Sequence, residues 1–253
     1  MTAISPGVWQ NFVRAARREP VAHPPVAFIA AGPWLPGYAQ ANLIDLYTLP
    51  DKWFDVHYSL LVRFPDVVWL PGFWVEFGTA VEASAFGARI QFHPERPPLV
   101  HPISANLDDW VQAPLPNPQT DGLMAITIRR YLDAETRLNA QGLGIKMVAS
   151  RGPFAIGTRL MGQEFFMNAL RSQPQKMAIF LGMLTQMTIS WLKAQLHTLR
   201  DPEGILLLDD TVGYLSVVEF QELAAGCMRQ IFDAFDGLIR IYHNDTPCEH
   251  LFS

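Results

Sequence analysis

The stretch Gly144–Gly162, GIKMVASRGPFAIGTRLMG, contains in order a short buried strand, a glycine-proline turn and the beginning of a helix. Two later stretches have a related form. Gly204–Asp210 (GILLLDD) is an apolar run that ends in two carboxylates, and Leu238–Asp245 (LIRIYHND) ends in His, Asn and Asp. Because each run ends in ionisable or glycine-rich residues, we expect parallel strands that present chemistry at their C-terminal ends, as in a (β/α)8 barrel.

Two earlier apolar runs, Pro25–Ala31 and Asp66–Leu70, predict further strands of the same sheet. The segment Pro71–Pro118 is rich in proline and predicts irregular structure, with a short edge strand at Ala88–Phe92. Helical patterns lie between the strands, at Ile4–Glu19, Thr48–Phe64, Asp121–Ala140, Gln163–Leu199 with a break near Gln173-Pro174, and behind the capping-box pair Ser216 and Glu219. Strands joined by crossover helices predict an α/β fold of the TIM-barrel type with right-handed connections.

The predicted barrel is incomplete, because the patterns give about five of the eight strands that a closed barrel needs. In this interpretation residues 1–253 are a single (β/α)-barrel domain. Three more strands with their helices would take roughly 90 further residues. An open five-stranded sheet would leave both edges unpaired and its concave face wet. We therefore expect the C-terminal part of the barrel to be missing, so that the chain is a fragment or another chain fills the gap.

Composition limits the classes of function. The chain is 49% hydrophobic and 17% charged, with a formal net charge of −5. It therefore lacks the excess of basic residues that is typical of nucleic-acid-binding proteins. It has no apolar run of about 18 residues and no N-terminal secretory pattern, which predicts a cytoplasmic protein without a membrane span. Two cysteines argue against a disulfide framework.

Candidate catalytic and metal-binding residues follow the strands. His243 and Asp245 stand at i and i+2, so on a regular strand they point the same way and could bind one metal ion, or each could cap a turn. Asp209 and Asp210 end another strand, and one of them should face the barrel mouth, where it could act as an acid, bind metal or contact substrate. Glu76 lies among aromatic residues, where burial would raise its pKa and suit a proton donor, and it could also be a third metal ligand.

Aromatic residues near the first two strand ends predict an apolar pocket for a planar substrate, although such residues are more often plain core. Phe154, in the glycine-proline turn of the first stretch quoted, joins them as a substrate-contact candidate. The substrate-binding candidates are Trp34, Tyr38, Trp69, Trp74 and Phe154.

Four segments resemble the uroporphyrinogen decarboxylase superfamily, which contains the haem-pathway decarboxylase and corrinoid-dependent methyltransferases. They are GPWLPGY at 32–38, GTAVEASAFGARIQF at 78–92, RGPFAIGTRLMG at 151–162 and LLLDDTVGYLSVVEFQELAAGCMRQIFDAF at 206–235. Their order and spacing carry the resemblance over nearly the whole chain. It implies a TIM barrel that acts on a small molecule and commonly pairs as a homodimer.

The details resemble the methyltransferase branch more closely. Ile29 and Pro33 stand where the decarboxylase carries two substrate-binding arginines. His243 matches the histidine of the zinc-binding His-x-Cys pair of the methyltransferases, with Asp245 in the cysteine position and Cys248 three residues later. The resemblance therefore implies methyl transfer between a small, methylated or methoxylated substrate and a corrinoid partner protein, assisted by zinc. A decarboxylase-type carboxy-lyase and a non-catalytic family member are the alternatives.

Overall fold

The structure is a computed structural model that describes residues 6–30 and 32–251. The predicted positions Ile4, Ser5 and Ala31 lie outside these ranges. Seven strands are present among the described residues, and five of them are parallel. The strands are β1 (Val26–Ile29), β2 (Val67–Leu70), β3 (Ile90–Gln91), β4 (Leu99–Val100), β5 (Met147–Arg151), β6 (Gly204–Leu208) and β7 (Ile239–His243).

Helices connect and cover the parallel strands. They are α1 (Pro6–Ala16), α2 (Leu35–Ala39), α3 (Leu43–Thr48), α4 (Pro50–Arg63), α5 (Ala80–Ala85), α6 (Gly122–Asn139), α7 (Pro153–Met161), α8 (Gln163–Ser172), α9 (Pro174–Thr198), α10 (Val217–Glu219) and α11 (Ala225–Asp233). A π-helical turn, Phe220–Ala224, joins α10 to α11, and the predicted capping box of Ser216 and Glu219 opens α10.

The parallel strands form two groups. Strand β1 pairs with β2, and β5, β6 and β7 pair in that order. The register aligns Arg151 with Leu208, and Leu208 with His243, so the C-terminal ends of three strands lie in one row. The register of β1 and β2 likewise aligns Ile29 with Leu70. This arrangement brings side chains that follow the strands to a common edge of the sheet.

Both faces of the central strand β6 are buried, as expected for a parallel sheet. Ile205 and Leu207 join the core beneath the covering helices, whereas Leu206 and Leu208 face the concave side. There they share a cluster with Val13 of α1, and Trp9 and Phe12 of the same helix pack against that cluster. The expectation of a wet concave face is therefore wrong, because the amphipathic N-terminal helix covers part of it.

The five predicted parallel strands are confirmed, and they do not close into a barrel within residues 6–30 and 32–251. The predicted break in the long helical pattern is also confirmed, since α8 ends and α9 begins around Gln173. The predicted edge strand is only β3, which pairs with β4 as a short antiparallel ladder. Helices α2, α3 and α5 were not predicted, because they are five or six residues long and carry little periodic signal.

Helix α9 is, by length and composition, the one helix in the described part of the chain that could cross a membrane. It spans 25 residues, and half of its most apolar window is buried inside the fold. Its buried side chains contribute Phe180, Leu184 and Trp191 to the main core. This burial accounts for the apolar character of α9 as a core helix.

Candidate active site

A cleft of about 330 Å³ lies at the C-terminal ends of the parallel strands. Its walls come from the ends of β1, β5, β6 and β7 and from the loop that follows β2. It is lined by Ile29, Pro33, Tyr47, Trp74, Glu76, Gly78, Thr79, Pro97, Arg151, Leu208, Asp210, His243 and Asp245. In barrels of this type the C-terminal strand ends are where catalytic residues lie, so this cleft is the candidate active site.

Asp210, His243 and Asp245 form a compact group in the cleft, which we call the triad. One ligand atom from each residue lies within 4.8 Å of the other two. His243 Nε2 lies 3.2 Å from Asp245 Oδ1, and His243 Nδ1 lies 3.8 Å from Asp210 Oδ1. The side chains of the i, i+2 pair thus lie together, although β7 ends at His243 and Asp245 follows the strand. Nδ1 of His243 is buried and has no hydrogen-bond partner among the described residues.

The second carboxylate of the triad is Asp210, where the sequence had suggested Glu76 as a further metal ligand. Asp210 follows β6 and is 43% exposed at its side chain, and its Oδ1 accepts a hydrogen bond from the Asp245 backbone at 2.8 Å. Glu76 is instead hydrogen-bonded to the Arg151 guanidinium and to the Gly32 backbone N–H. Cys248 packs against the main core and is not a member of the triad.

Glu76 and Arg151 form a largely buried ion pair that lines the same cleft. Arg151 Nη2 donates to Glu76 Oε1 at 3.1 Å and to the Gly78 carbonyl at 3.4 Å, and its guanidinium lies 5.4 Å from the Trp74 ring centre. The backbone N–H of Gly32 donates to Glu76 Oε2 at 2.6 Å. Residue 32 must be small, because a Cβ there would lie 3.3 Å from the Tyr47 hydroxyl.

Burial raises the pKa of the Glu76 carboxyl above its ordinary value, although Arg151 and the Gly32 N–H act in the opposite direction. The Tyr47 hydroxyl is also buried, and its pKa is raised by burial and by the nearby charge of Glu76. We call Tyr47, Glu76 and Arg151 the polar end of the cleft. Its carboxyl group, Glu76, loses its proton at a higher pH than an ordinary glutamic acid does.

Asp209 lies outside the cleft lining and has a structural position. Its side chain is 2% exposed, and its two oxygens accept from the backbone N–H groups of Phe154 at 2.9 Å and Ala155 at 2.8 Å. These groups belong to the first turn of α7, where Gly152 provides no side-chain cap. A Cβ at Gly152 would collide with the Asp209 carboxylate. Burial raises the pKa of Asp209 to about 7.

Asp209→Ala should destabilise the fold, because it leaves two buried N–H groups at the start of α7 without acceptors. We expect the free energy of unfolding to fall by about 2 kcal/mol or more. Chemical denaturation of this variant beside Asp201→Ala, an exposed carboxylate, measures the difference. A loss no larger than that of Asp201→Ala would contradict the capping role.

Of the five aromatic substrate-binding candidates, Trp74 alone lines the cleft. Trp34 stacks on Tyr38 at 5.2 Å and on Trp69 at 5.9 Å in a separate cluster, with Trp34 47% exposed. Phe154 is 1% exposed and contacts Phe166 within the core. These positions give Phe154 a packing role, and we propose no substrate contact for it.

Sequence reasoning missed Arg151 and Tyr47. Arg151 is the last residue of β5, so the strand-end rule that selected Asp210 and His243 could have selected it as well. Tyr47 lies in the unpredicted helix α3, and its sequence surroundings carry no comparable signal.

Residues 9–251 match the uroporphyrinogen decarboxylase (URO-D) family. The chain belongs to this family. A comparison with curated protein sequences gave no match. Among solved structures, a methyltransferase from Methanosarcina mazei superposes on this URO-D family member with a TM-score of 0.79 and 15% identity, over 96% of this chain and 71% of that one. At this identity the likeness supports the shared TIM-barrel type of fold.

Proposed function

We propose that this URO-D family member is a metal-dependent methyltransferase, which moves a methyl group between a small methylated substrate and a corrinoid carried on a partner protein. The observation that carries the proposal is the triad of Asp210, His243 and Asp245 in a cleft at the strand ends. The methyltransferase from Methanosarcina mazei with a similar fold is in keeping with it.

The donor chemistry of the triad fits a divalent ion. Zinc accepts imidazole nitrogen and carboxylate oxygen, and catalytic zinc sites use three protein ligands and leave one position open. The buried Nδ1 atom of His243, which has no hydrogen-bond partner in the part of the chain that the structure describes, offers a further reason, because buried polar atoms normally have partners. When bound, the ion supplies a Lewis acid that polarises the heteroatom from which the methyl group leaves.

The protein's own residues would position the substrate and supply a proton. Ile29, Pro33 and Leu208 give the cleft apolar walls that exclude water from the reacting methyl group. When the bond from methyl carbon to oxygen breaks, the electron pair stays on oxygen and takes up a proton. Glu76, whose pKa is raised by burial, is the proton donor in this proposal. Arg151 holds the donor in place.

The test is formation of methylcobalamin from free cob(I)alamin by the zinc-loaded protein. Methyl ethers, methylamines and methyl thioethers serve as donors. The absorbance change on conversion of cob(I)alamin to methylcobalamin follows the reaction. Transfer from any donor class above the protein-free rate supports the proposal. Absence of transfer from all of them, with zinc bound and with a corrinoid partner protein added, contradicts it.

Uroporphyrinogen should not be decarboxylated by this chain. The two positions that resemble the arginine sites of the decarboxylase are Ile29 and Pro33, and both line the cleft. Without two charge-assisted contacts to substrate carboxylates, binding should weaken by several kcal/mol. Coproporphyrinogen formation by the pure protein would contradict this expectation and favour the carboxy-lyase alternative.

A further inference from the structure

Two buried hydrogen-bond donors in the cleft have no partner within residues 6–30 and 32–251. They are the Nε–H of Arg151 and the hydroxyl of Tyr47, and both residues line the cleft. Tyr47 is only 5% exposed, so bulk water does not form a hydrogen bond with its buried hydroxyl. Because an unsatisfied buried polar group costs about 1–3 kcal/mol, two of them in one cleft point to a ligand that supplies acceptors.

The charges around these donors favour an anionic acceptor. Arg151 uses Nη2 to hold Glu76, and its Nε edge stays free for a second acceptor. Arg159 of α7 adds a second positive charge within electrostatic range of Arg151; burial and then the charge of Arg151 lower the pKa of Arg159, whereas the charge of Asp210 raises it. The carboxylates Asp210 and Asp245 lie at the triad end, where a bound divalent ion would offset them.

We propose that Tyr47 and Arg151 form a subsite for a substrate carboxylate in the cleft that the triad also lines. A carboxylate has two oxygens, one for the Arg151 Nε–H and one for the Tyr47 hydroxyl. Because Glu76 lies beside the same guanidinium, the single charge of a carboxylate is repelled less than the double charge of a phosphate dianion. The inference rests on the proposed function in naming the substrate class: a small methylated carboxylic acid with an apolar body against Ile29, Pro33 and Leu208.

Benzoate and benzamide are the probes, because they share a shape and differ in charge. Neither carries a transferable methyl group, so binding is measured independently of methyl transfer. By calorimetry or ligand-observed NMR, wild type should bind benzoate at least about tenfold more tightly than benzamide, as charge-assisted contacts predict. Inorganic phosphate should not displace benzoate.

Three variants separate recognition from folding. Tyr47→Phe removes one hydroxyl and should lower the benzoate preference about threefold or more. Arg151→Lys keeps the charge but loses the Nε donor. Arg151→Met combined with Glu76→Gln avoids an unpaired buried carboxylate, and should bring the two affinities within about twofold. Arg129→Met, at an exposed surface pair, is the control and should keep the wild-type preference.

The ratio of the two affinities is the decisive readout, because damage to the fold would weaken both ligands together. Equal affinities in wild type, no benzoate binding, displacement by phosphate, or an unchanged ratio in the double variant would each overturn the subsite. A benzoate preference without methyl transfer would support the subsite and count against the proposed reaction. Methyl transfer without a benzoate preference would support the proposed reaction and count against the subsite.

Discussion

His243→Ala should remove the bound divalent ion and reduce methyl transfer at least about a thousandfold, since the Lewis acid contributes several kcal/mol to transition-state stabilisation. His243 is the nitrogen donor of the triad, and it lies between the two carboxylates Asp210 and Asp245. Elemental analysis of the purified variant gives the metal content, and the methylcobalamin assay gives the rate.

The control for this prediction is His23→Ala, which removes an exposed histidine far from the triad in sequence. It should retain wild-type metal content and rate. Asp210→Asn and Asp245→Asn should each weaken metal binding, because an amide is a poorer ligand than a carboxylate for zinc. Equal metal content in wild type and His243→Ala, with both folded, would contradict the triad as a metal site.

Glu76→Gln should slow methyl transfer from an ether about 10²- to 10⁴-fold, the range expected when a general acid is removed. The amide keeps the size of Glu76 and can still accept from Gly32, but it cannot supply the proton. Because burial raises the pKa of Glu76, its acid form persists to higher pH than that of an ordinary glutamic acid. The wild-type rate should therefore fall as pH rises through that pKa. The rate of the variant should show no such fall.

Two controls distinguish proton donation from a change in structure. A quaternary methylammonium donor leaves as a neutral tertiary amine and needs no proton, so its transfer rate in Glu76→Gln should stay within a few-fold of wild type. Glu135→Gln alters another buried carboxylate, one that holds the backbone N–H groups of Ile145 and Arg200 outside the cleft. It should leave the pH profile unchanged. Equal slowing of ether and quaternary methylammonium donors would contradict the acid role.

The i, i+2 spacing predicted that His243 and Asp245 lie together. The parallel register places His243 beside Leu208, close to Asp210, which was not grouped with them from sequence. The sequence could not decide between Asp209 and Asp210. That choice depends on where β6 ends, and on the two N–H groups of α7 that bind the Asp209 carboxylate.

Local sequence patterns could not predict the polar end of the cleft. Glu76 and Arg151 are 75 residues apart, and they meet because the loop after β2 reaches the end of β5. Nothing near either residue encodes that contact. The cover of the concave face by α1 depends on the same kind of long-range packing, since Val13 belongs to one apolar cluster with Leu206 and Leu208 of β6. Periodicity predicted the elements, whereas the cleft was assembled by tertiary contacts.

Anomalous diffraction from crystals of the zinc-loaded protein, recorded on both sides of the zinc absorption edge, tests the central claim most directly. The account predicts one strong peak in the cleft, about 2.0–2.2 Å from His243 nitrogen and from carboxylate oxygens of Asp210 and Asp245. The same peak should be absent from His243→Ala crystals grown under the same conditions. A well-ordered cleft without a peak, or a peak bound by other residues, would contradict a metal-dependent reaction at the triad.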